Sequence, residues 1–179
     1  MVFLFLADGF EIIEALAPVD MLRRAKIDVK TVGVTGRTVT SSCGVAVNAD
    51  ITIDEFVYDH TDAIILPGGM PGTLNLENNQ IVQSAIEKAA GDNVLICAIC
   101  AAPSILGHKG LLKGKNAVAF PGFEKDLEGA VISDNYVVAD GNLITAKGAG
   151  VATEFGLKIV EMLTDKETAV KIKETIQCR

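Results

Sequence analysis

One cysteine of the sequence, Cys100, is placed where nucleophilic chemistry is possible. The apolar run Val94–Ile99 predicts a buried strand, and Ala101–Leu106 predicts the opening of a helix with Pro103 in its first turn. Backbone N–H groups and the dipole at a helix N-terminus favour thiolate over thiol, so we expect a lowered pKa for Cys100. This arrangement follows the logic of a nucleophile elbow. The alternative is that Cys100 is simply a small buried apolar residue.

Cys97 and Cys100 also match the spacing of a redox CxxC pair. In a predicted strand their Cα atoms lie about 10 Å apart, whereas a disulfide needs about 4.4–6.8 Å. We therefore interpret Cys97 as a core residue. Two cysteines without a matching pair of histidines make a weak zinc site, so no metal is predicted.

Two glycines, Gly68 and Gly69, follow the short predicted strand Ala63–Leu66. Glycines at a strand end are often only turn formers. The functional alternative is that the missing side chains let backbone N–H groups approach an oxyanion near Cys100. The run lacks the Gly-Lys-Ser/Thr ending of a phosphate-binding loop.

Strand and helix patterns alternate along residues 1–179, which predicts a single α/β domain with a mainly parallel sheet covered by helices on both faces. A polar, β-rich stretch, Thr38–Ile53, predicts a small hairpin excursion. In such sheets the site lies beyond the carboxyl ends of the strands. The predicted strands are Val2–Leu6, Val29–Val34, Ala63–Leu66, Val94–Ile99, Ala117–Phe120, Val131–Ile132, Tyr136–Ala139 and Leu143–Ala146, the last three antiparallel, and the predicted helices are Glu11–Ala25, with a kink or restart at Pro18, Gln80–Ala90, Ala101–Leu106, Val151–Leu163 and Asp165–Ile176, with Asp165 as N-cap.

The composition of the chain argues against nucleic-acid binding, export and membrane insertion. The net charge of −7 disfavours nucleic-acid binding. The apolar start Met1–Ala7 lacks a basic flank and is too short for a signal peptide, and Val94–Leu106 is too short to cross a bilayer. Four cysteines without an export signal indicate reduced thiols, so we expect a cytoplasmic protein without membrane contact.

Four separated motifs resemble the DJ-1/ThiJ/PfpI superfamily, and its DJ-1 branch most of all. They are Ala7-Asp-Gly-Phe-Glu-Ile-Ile-Glu14 with Pro18-Val-Asp20, Leu66-Pro-Gly-Gly-Met70, Ala98-Ile-Cys100-Ala-Ala-Pro103, and Lys147-Gly-Ala-Gly150 with Glu154-Phe155. The resemblance implies a flavodoxin-like sandwich, usually a homodimer, in which Cys100 is reactive and readily oxidised. It also implies that Glu14 touches the Cys100 sulfur and that Gly68, Gly69 and Ala101 supply the backbone groups around it.

The chemistry of a buried glutamate also suits Glu14 to contact the Cys100 sulfur. A buried glutamate has a raised pKa and can stay protonated, so it can donate a hydrogen bond to a thiolate. The apolar neighbours Ile12, Ile13 and Leu16 argue against a solvated helix residue at position 14.

The chain departs from the DJ-1 branch at three positions. Phe120 stands where a histidine is common, and Cys43 and Lys147 stand where arginines are frequent. His60 and His108 are predicted to lie away from Cys100, so the sequence does not support a Cys–His dyad. Peptidase activity, which needs such a dyad, is not supported either.

Two functions follow from these residues, and neither needs a cofactor. In the first, Cys100 attacks a small aldehyde such as methylglyoxal and Glu14 moves the proton, as in a glyoxalase or deglycase. In the second, an oxidant converts Cys100 to a sulfinate, and the protein is an oxidative-stress sensor or redox-regulated chaperone. A third possibility, an amidase, is weaker because amide cleavage needs a general acid for the amine.

Overall fold

The computed structural model describes residues 1–178. The strands are β1 Val2–Leu6, β2 Val29–Gly33, β3 Thr38–Thr40, β4 Ala46–Asn48, β5 Ile51–Thr52, β6 Ala63–Leu66, β7 Leu95–Ile99, β8 Asn116–Ala117, β9 Val131–Ile132, β10 Val137–Asp140 and β11 Leu143–Ala146. The α-helices are α1 Ile12–Arg24, α2 Gly72–Asn78, α3 Gln80–Gly91, α4 Pro103–His108, α5 Ala152–Leu163 and α6 Lys166–Thr175. Within residues 1–178, no helix is both long and apolar enough to span a membrane.

A seven-stranded sheet in the order β10-β11-β7-β6-β1-β2-β5 forms the centre of the fold. All neighbouring strands are parallel except β10 and β11. The four central strands β11, β7, β6 and β1 therefore end at the same edge. The buried positions of β1, β6 and β7 are continuous apolar runs, which is typical of parallel strands covered on both faces.

Helices cover both faces of this sheet, and each face has its own apolar core. One core joins α1, α5 and α6 to the sheet, with Phe155 and Leu22 fully buried. The other joins α2, α3 and α4 to the opposite face, with Leu76 and Ile86 fully buried. The predicted α/β architecture with a mostly parallel, doubly covered sheet is confirmed.

The small strands differ from the sequence prediction in their pairing. β3 and β4 form the expected antiparallel hairpin, and β5 then joins the edge of the main sheet beside β2. β9 pairs in parallel with β8, so the prediction that it belongs to an antiparallel set with β10 and β11 is wrong. β8 ends at Ala117, so Phe120 lies in the following loop and not in a strand. Two-residue strands carry too little periodicity to reveal their partners.

The helices differ from the prediction at three places. α1 runs without interruption through Pro18, so the expected restart is wrong. α2 was not predicted, because Gly72 and the following residues directly continue a turn-forming run. α4 begins at Pro103 and not at Ala101, although Pro103 does occupy its first turn as expected. The predicted N-cap of α6 is confirmed, because the Asp165 side chain accepts a hydrogen bond of 2.7 Å from Thr168 N.

The contact of α1 with α5 depends on Gly156, because a Cβ added there would lie 2.8 Å from Pro18 Cα and 2.9 Å from Met21 Cγ. We expect Gly156→Ala to lower the free energy of unfolding by about 1–3 kcal/mol through overpacking. The matched control is Gly91→Ala in α3, where an added Cβ meets no atom within 4 Å. The control should keep or raise stability, because alanine favours helix over glycine by up to about 1 kcal/mol. Urea unfolding of both variants measures this, and equal stabilities would contradict a tight α1–α5 contact.

Candidate functional site

The site lies where four parallel strands end. Leu66 of β6 pairs with Ala98 of β7, and Ala146 of β11 pairs with Ile99, so these strands finish level with one another. The segments that follow them begin with Pro67, Cys100 and Lys147. α1 begins just after β1 at the same edge. The register of the sheet therefore brings residues distant in sequence to one place.

Cys100 occupies a sharp turn directly after β7. Its φ of 66° lies in the left-handed region, which is uncommon for residues other than glycine. Its backbone N–H donates to Ala146 O at 2.9 Å, and its carbonyl accepts from Phe120 N at 2.8 Å. The turn is thus fixed to the ends of two neighbouring segments, and it leaves the Cys100 side chain half-buried. Such a held, sparsely populated backbone conformation is typical of functional turns.

Backbone donors at the sulfur come from two loops. The N–H groups of Ala101 and Gly69 both donate to the Cys100 sulfur. These are two of the backbone groups named by the resemblance. The third, Gly68, directs its N–H elsewhere, to Glu14 Oε2 at 3.0 Å. The helix expected to polarise the sulfur is only six residues long and begins three residues later, so its dipole is a minor influence.

Glu14 lies in the first turn of α1 and is buried, with 1% of its surface exposed. The turn is held by Glu11, whose side chain accepts from Glu14 N at 2.7 Å and caps the helix. The Glu14 carboxyl accepts from the N–H groups of Gly68 and Ala149 and is hydrogen-bonded to the Cys100 side chain. The structure therefore brings Glu14 and Cys100 into direct contact.

Burial raises the pKa of Glu14 from 4.5 to about 7, although the hydrogen bonds from Cys100, Gly68 and Ala149 act in the opposite direction. The nearby Glu11 carboxylate adds to the increase. Burial disfavours the charged form of a carboxyl group. Near neutral pH Glu14 consequently exists in both protonation states, which suits it to accept and return a proton.

The pKa of Cys100 is raised, not lowered, so the sequence prediction of a standing thiolate is wrong. Burial, followed by the charge of the neighbouring Glu14 carboxylate and its hydrogen bond, raises this pKa to about 12. The N–H groups of Ala101 and Gly69 lower it, but by less. A neutral thiol beside a carboxylate of pKa about 7 is therefore the resting arrangement above neutral pH.

Gly68 and Gly69, which follow β6, must be glycines because their backbone lies too close to neighbouring atoms for a side chain to fit. A Cβ on Gly68 would lie 2.6 Å from Cys100 Cβ and 2.7 Å from Glu14 Oε2. Gly69 has a φ of +91°, and a Cβ there would lie 2.4 Å from Glu11 N. The interpretation of these residues as mere turn formers is therefore incomplete, because they also let the backbone reach the Glu14–Cys100 pair.

Sequence reasoning did not place Gly148 and Ala149 at the site. Ala149 supplies a donor to Glu14, and a Cβ on Gly148 would lie 3.7 Å from Glu14 Oε1 and 3.2 Å from the Phe120 ring. The signal was present, because both residues follow β11 at the edge where the other segments converge. Phe120 occupies the position where the resemblance leads one to expect a histidine, and it is 48% exposed.

Cys97 and Cys43 are not among the groups hydrogen-bonded to the Glu14–Cys100 pair. Cys97 is fully buried in β7, where burial raises its pKa well above 9, as expected for a core residue. Cys43 is exposed on the hairpin, with its sulfur 3.2 Å from Ser41 Oγ.

Neither histidine takes part in the site. His108 Nδ1 is 2.6 Å from Glu77 Oε1, and this contact raises the His108 pKa. His60 precedes β6, at the end of that strand opposite to the site.

The family model described as DJ-1/PfpI family matches residues 1–162. The chain is 36% identical to protein dj-1beta of Drosophila melanogaster, with 93% of this chain and 91% of that protein covered. It is 35% identical to the Parkinson disease protein 7 homolog of Danio rerio, with 94% and 92% covered. A solved structure of Toxoplasma gondii DJ-1, described as oxidized, superposes with a TM-score of 0.95 at 34% identity and covers 99% of this chain and 97% of that one. The shared architecture confirms the flavodoxin-like sandwich expected from the resemblance.

The raised pKa of Glu14 makes stability depend on pH. Between pH 4.5 and about 7 the unfolded state ionises Glu14 while the folded state keeps it protonated, so stability falls as pH rises through this window. The loss is on the order of 3 kcal/mol. We expect Glu14→Gln to remove it, so that the variant gains on the wild type between pH 4.5 and 8 in urea unfolding. Glu167→Gln, the same change at an exposed position of α6, should show no such gain. Parallel pH curves for wild type and Glu14→Gln would contradict a neutral, buried Glu14.

Proposed function

Because the chain belongs to the DJ-1/PfpI family, we propose that it converts small α-oxoaldehydes such as methylglyoxal into 2-hydroxy acids through nucleophilic Cys100, with Glu14 as proton carrier. The observation that carries the proposal is the hydrogen bond between the buried Glu14 carboxyl and the Cys100 thiol. A nucleophile and a base in direct contact are the minimum that covalent catalysis needs.

In the first step the Cys100 sulfur attacks the aldehyde carbon. A carbon–sulfur bond forms, the π bond of the carbonyl breaks, and the thiol proton passes to the Glu14 carboxylate. Transfer to a base during attack removes the need for a standing thiolate, which the raised Cys100 pKa disfavours. The developing oxyanion receives hydrogen bonds from the amides of Gly69 and Ala101, which already point at the sulfur. Glu14 then returns the proton to this oxygen and leaves a hemithioacetal.

In the second step Glu14, ionised again, removes the hydrogen on the former aldehyde carbon. The electron pair of the broken C–H bond forms a carbon–carbon double bond while the ketone oxygen takes this proton from Glu14, which gives an enediol. Glu14 then removes the hydroxyl proton from the sulfur-bearing carbon and delivers it to the former ketone carbon, which gives a thioester of a 2-hydroxy acid. Water then cleaves the thioester, releasing the acid and restoring the Cys100 thiol. Every proton in this sequence passes through one carboxyl group whose pKa of about 7 is matched to neutral pH.

Turnover of methylglyoxal should depend on both members of the pair. We expect Cys100→Ser to abolish formation of the 2-hydroxy acid and Glu14→Gln to reduce kcat/KM by about 10²–10⁴-fold, because the base is lost. In the wild type, kcat/KM should rise with pH to a plateau above about 7, where Glu14 is ionised. Cys43→Ser, the same change at an exposed thiol of the hairpin, should behave as the wild type. Persistent turnover by Cys100→Ser would refute the mechanism.

A second candidate function is oxidation sensing, and the donors around the sulfur favour it. Peroxide would convert the Cys100 thiol to a sulfenic acid and a second peroxide would convert that to a sulfinic acid, each step releasing water or the corresponding alcohol. The N–H groups of Ala101 and Gly69 and a protonated Glu14 are then suited to bind the sulfinate oxygens. The similar Toxoplasma gondii structure described as oxidized supports this alternative.

Mild peroxide treatment tests the alternative. Intact mass and peptide mapping should show a gain of two oxygen atoms on Cys100 and none on buried Cys97. Glu14→Leu, which lacks the donor, should reduce the fraction that stops at the sulfinate. The absence of any gain on Cys100 would remove the sensing function, and a gain spread equally over exposed Cys43 and Cys100 would show no selectivity.

A further inference from the structure

A cavity of about 390 Å³ opens beside the Glu14–Cys100 pair. We call it the Phe120 pocket. Its walls are the side chains of Phe120, Pro121 and Tyr136 and the segment 147–151 after β11. Two of these wall elements also touch the pair. Phe120 N donates to Cys100 O at 2.8 Å, and Ala149 N–H donates to the Glu14 carboxyl.

Gly148 connects the pocket to the carboxyl group. A Cβ added there would meet the Phe120 ring at 3.2 Å and Glu14 Oε1 at 3.7 Å. Since glycine leaves this volume unfilled, the Phe120 ring and the Glu14 carboxyl approach one common space. The Gly148 edge of the Phe120 pocket therefore lies within contact distance of the carboxyl group that is hydrogen-bonded to the Cys100 thiol.

Among the described residues that line the pocket, only Lys147 is charged, and its side chain is already engaged. Lys147 Nζ donates to Asp134 O at 3.1 Å and lies 4.7 Å from the centre of the Tyr136 ring. The other lining residues with side chains are all uncharged: Phe120, Pro121, Tyr136, Ala149 and Val151. Phe120, which lines the pocket, is 48% exposed, so apolar area is left for a ligand to cover.

We propose that the Phe120 pocket selects α-oxoaldehydes whose ketone carbon bears an aromatic or bulky apolar group, an inference that rests on the function proposed above. With the aldehyde carbon on the Cys100 sulfur and its oxygen at the amides of Gly69 and Ala101, the group on the ketone carbon occupies the pocket. A methyl group covers little of a 390 Å³ cavity, whereas a phenyl ring covers the exposed face of Phe120. The chain thus uses Phe120 for substrate specificity.

The test compares kcat/KM for phenylglyoxal and methylglyoxal, with 2-hydroxy acid as the measured product. The wild type should prefer phenylglyoxal by about tenfold or more. Phe120→Leu keeps an apolar wall and should retain most of this preference, whereas Phe120→Asn should lower it about tenfold, chiefly through the KM for phenylglyoxal. Ile81→Asn, the same kind of change at an exposed apolar residue of α3, should leave the preference unchanged. Comparing the ratio between variants cancels the intrinsic reactivities of the two aldehydes.

A wild-type preference for methylglyoxal, or a ratio unaffected by Phe120→Asn, would overturn the proposal while leaving the proposed function intact. Failure of the proposed function is recognised separately, because neither aldehyde would then be consumed. In that case a binding measurement tests whether the Phe120 pocket accepts an aryl group. Acetophenone, which has the aryl ketone but no aldehyde, should slow iodoacetamide modification of Cys100 in the wild type and not in Phe120→Asn. Equal modification rates with and without acetophenone would overturn the pocket as an aryl site.

Discussion

A hydrogen bond between two partly or fully buried acids, the Glu14 carboxyl and the Cys100 thiol, is the interaction on which the site depends. Burial disfavours the charged form of both groups, and the Glu14 charge further raises the cost of ionising Cys100, so two negative charges in this space are strongly disfavoured. The reactive state is consequently one in which a single proton can lie on either oxygen or sulfur. This arrangement makes the thiol usable at neutral pH without a separately stabilised thiolate.

The Glu14–Cys100 pair lowers the stability of the fold that holds it. An ionised carboxyl group with 1% exposure is costly, and the amides of Gly68 and Ala149 offset only part of that cost. The rest of this free-energy cost is offset by the packing that fixes α1, including its close contact with α5 at Gly156. The turn at Cys100 likewise keeps an unfavourable φ because hydrogen bonds from two neighbouring segments hold it. Functional sites commonly store such unfavourable terms where rigid elements surround them.

Much of the arrangement could be predicted from sequence because it follows from local patterns. Apolar runs predicted the central strands and the sheet edge at which a site would lie, and the resemblance to the DJ-1 branch predicted that Glu14 and Gly68 lie around Cys100. The pKa of Cys100 could not be predicted, since it depends on how deeply the sulfur is buried and on the charge beside it, not on its position before a helix. The pairing of β9 with β8 is likewise a long-range contact without a periodic signal.

The two chemistries open to Cys100 compete for the same donors. The oxyanion of an attacked aldehyde and an oxygen of a sulfinate would both lie within reach of the amides of Gly69 and Ala101 and of the Glu14 carboxyl. A sulfinate has no nucleophilic sulfur left for carbon, so oxidation and turnover exclude one another in a single molecule. With Phe120 in place of a titratable histidine, no imidazole among residues 1–178 stands at the site to separate the two processes. The protonation of Glu14 therefore governs both: its ionised form assists attack on a carbonyl, and its protonated form holds the oxidised sulfur.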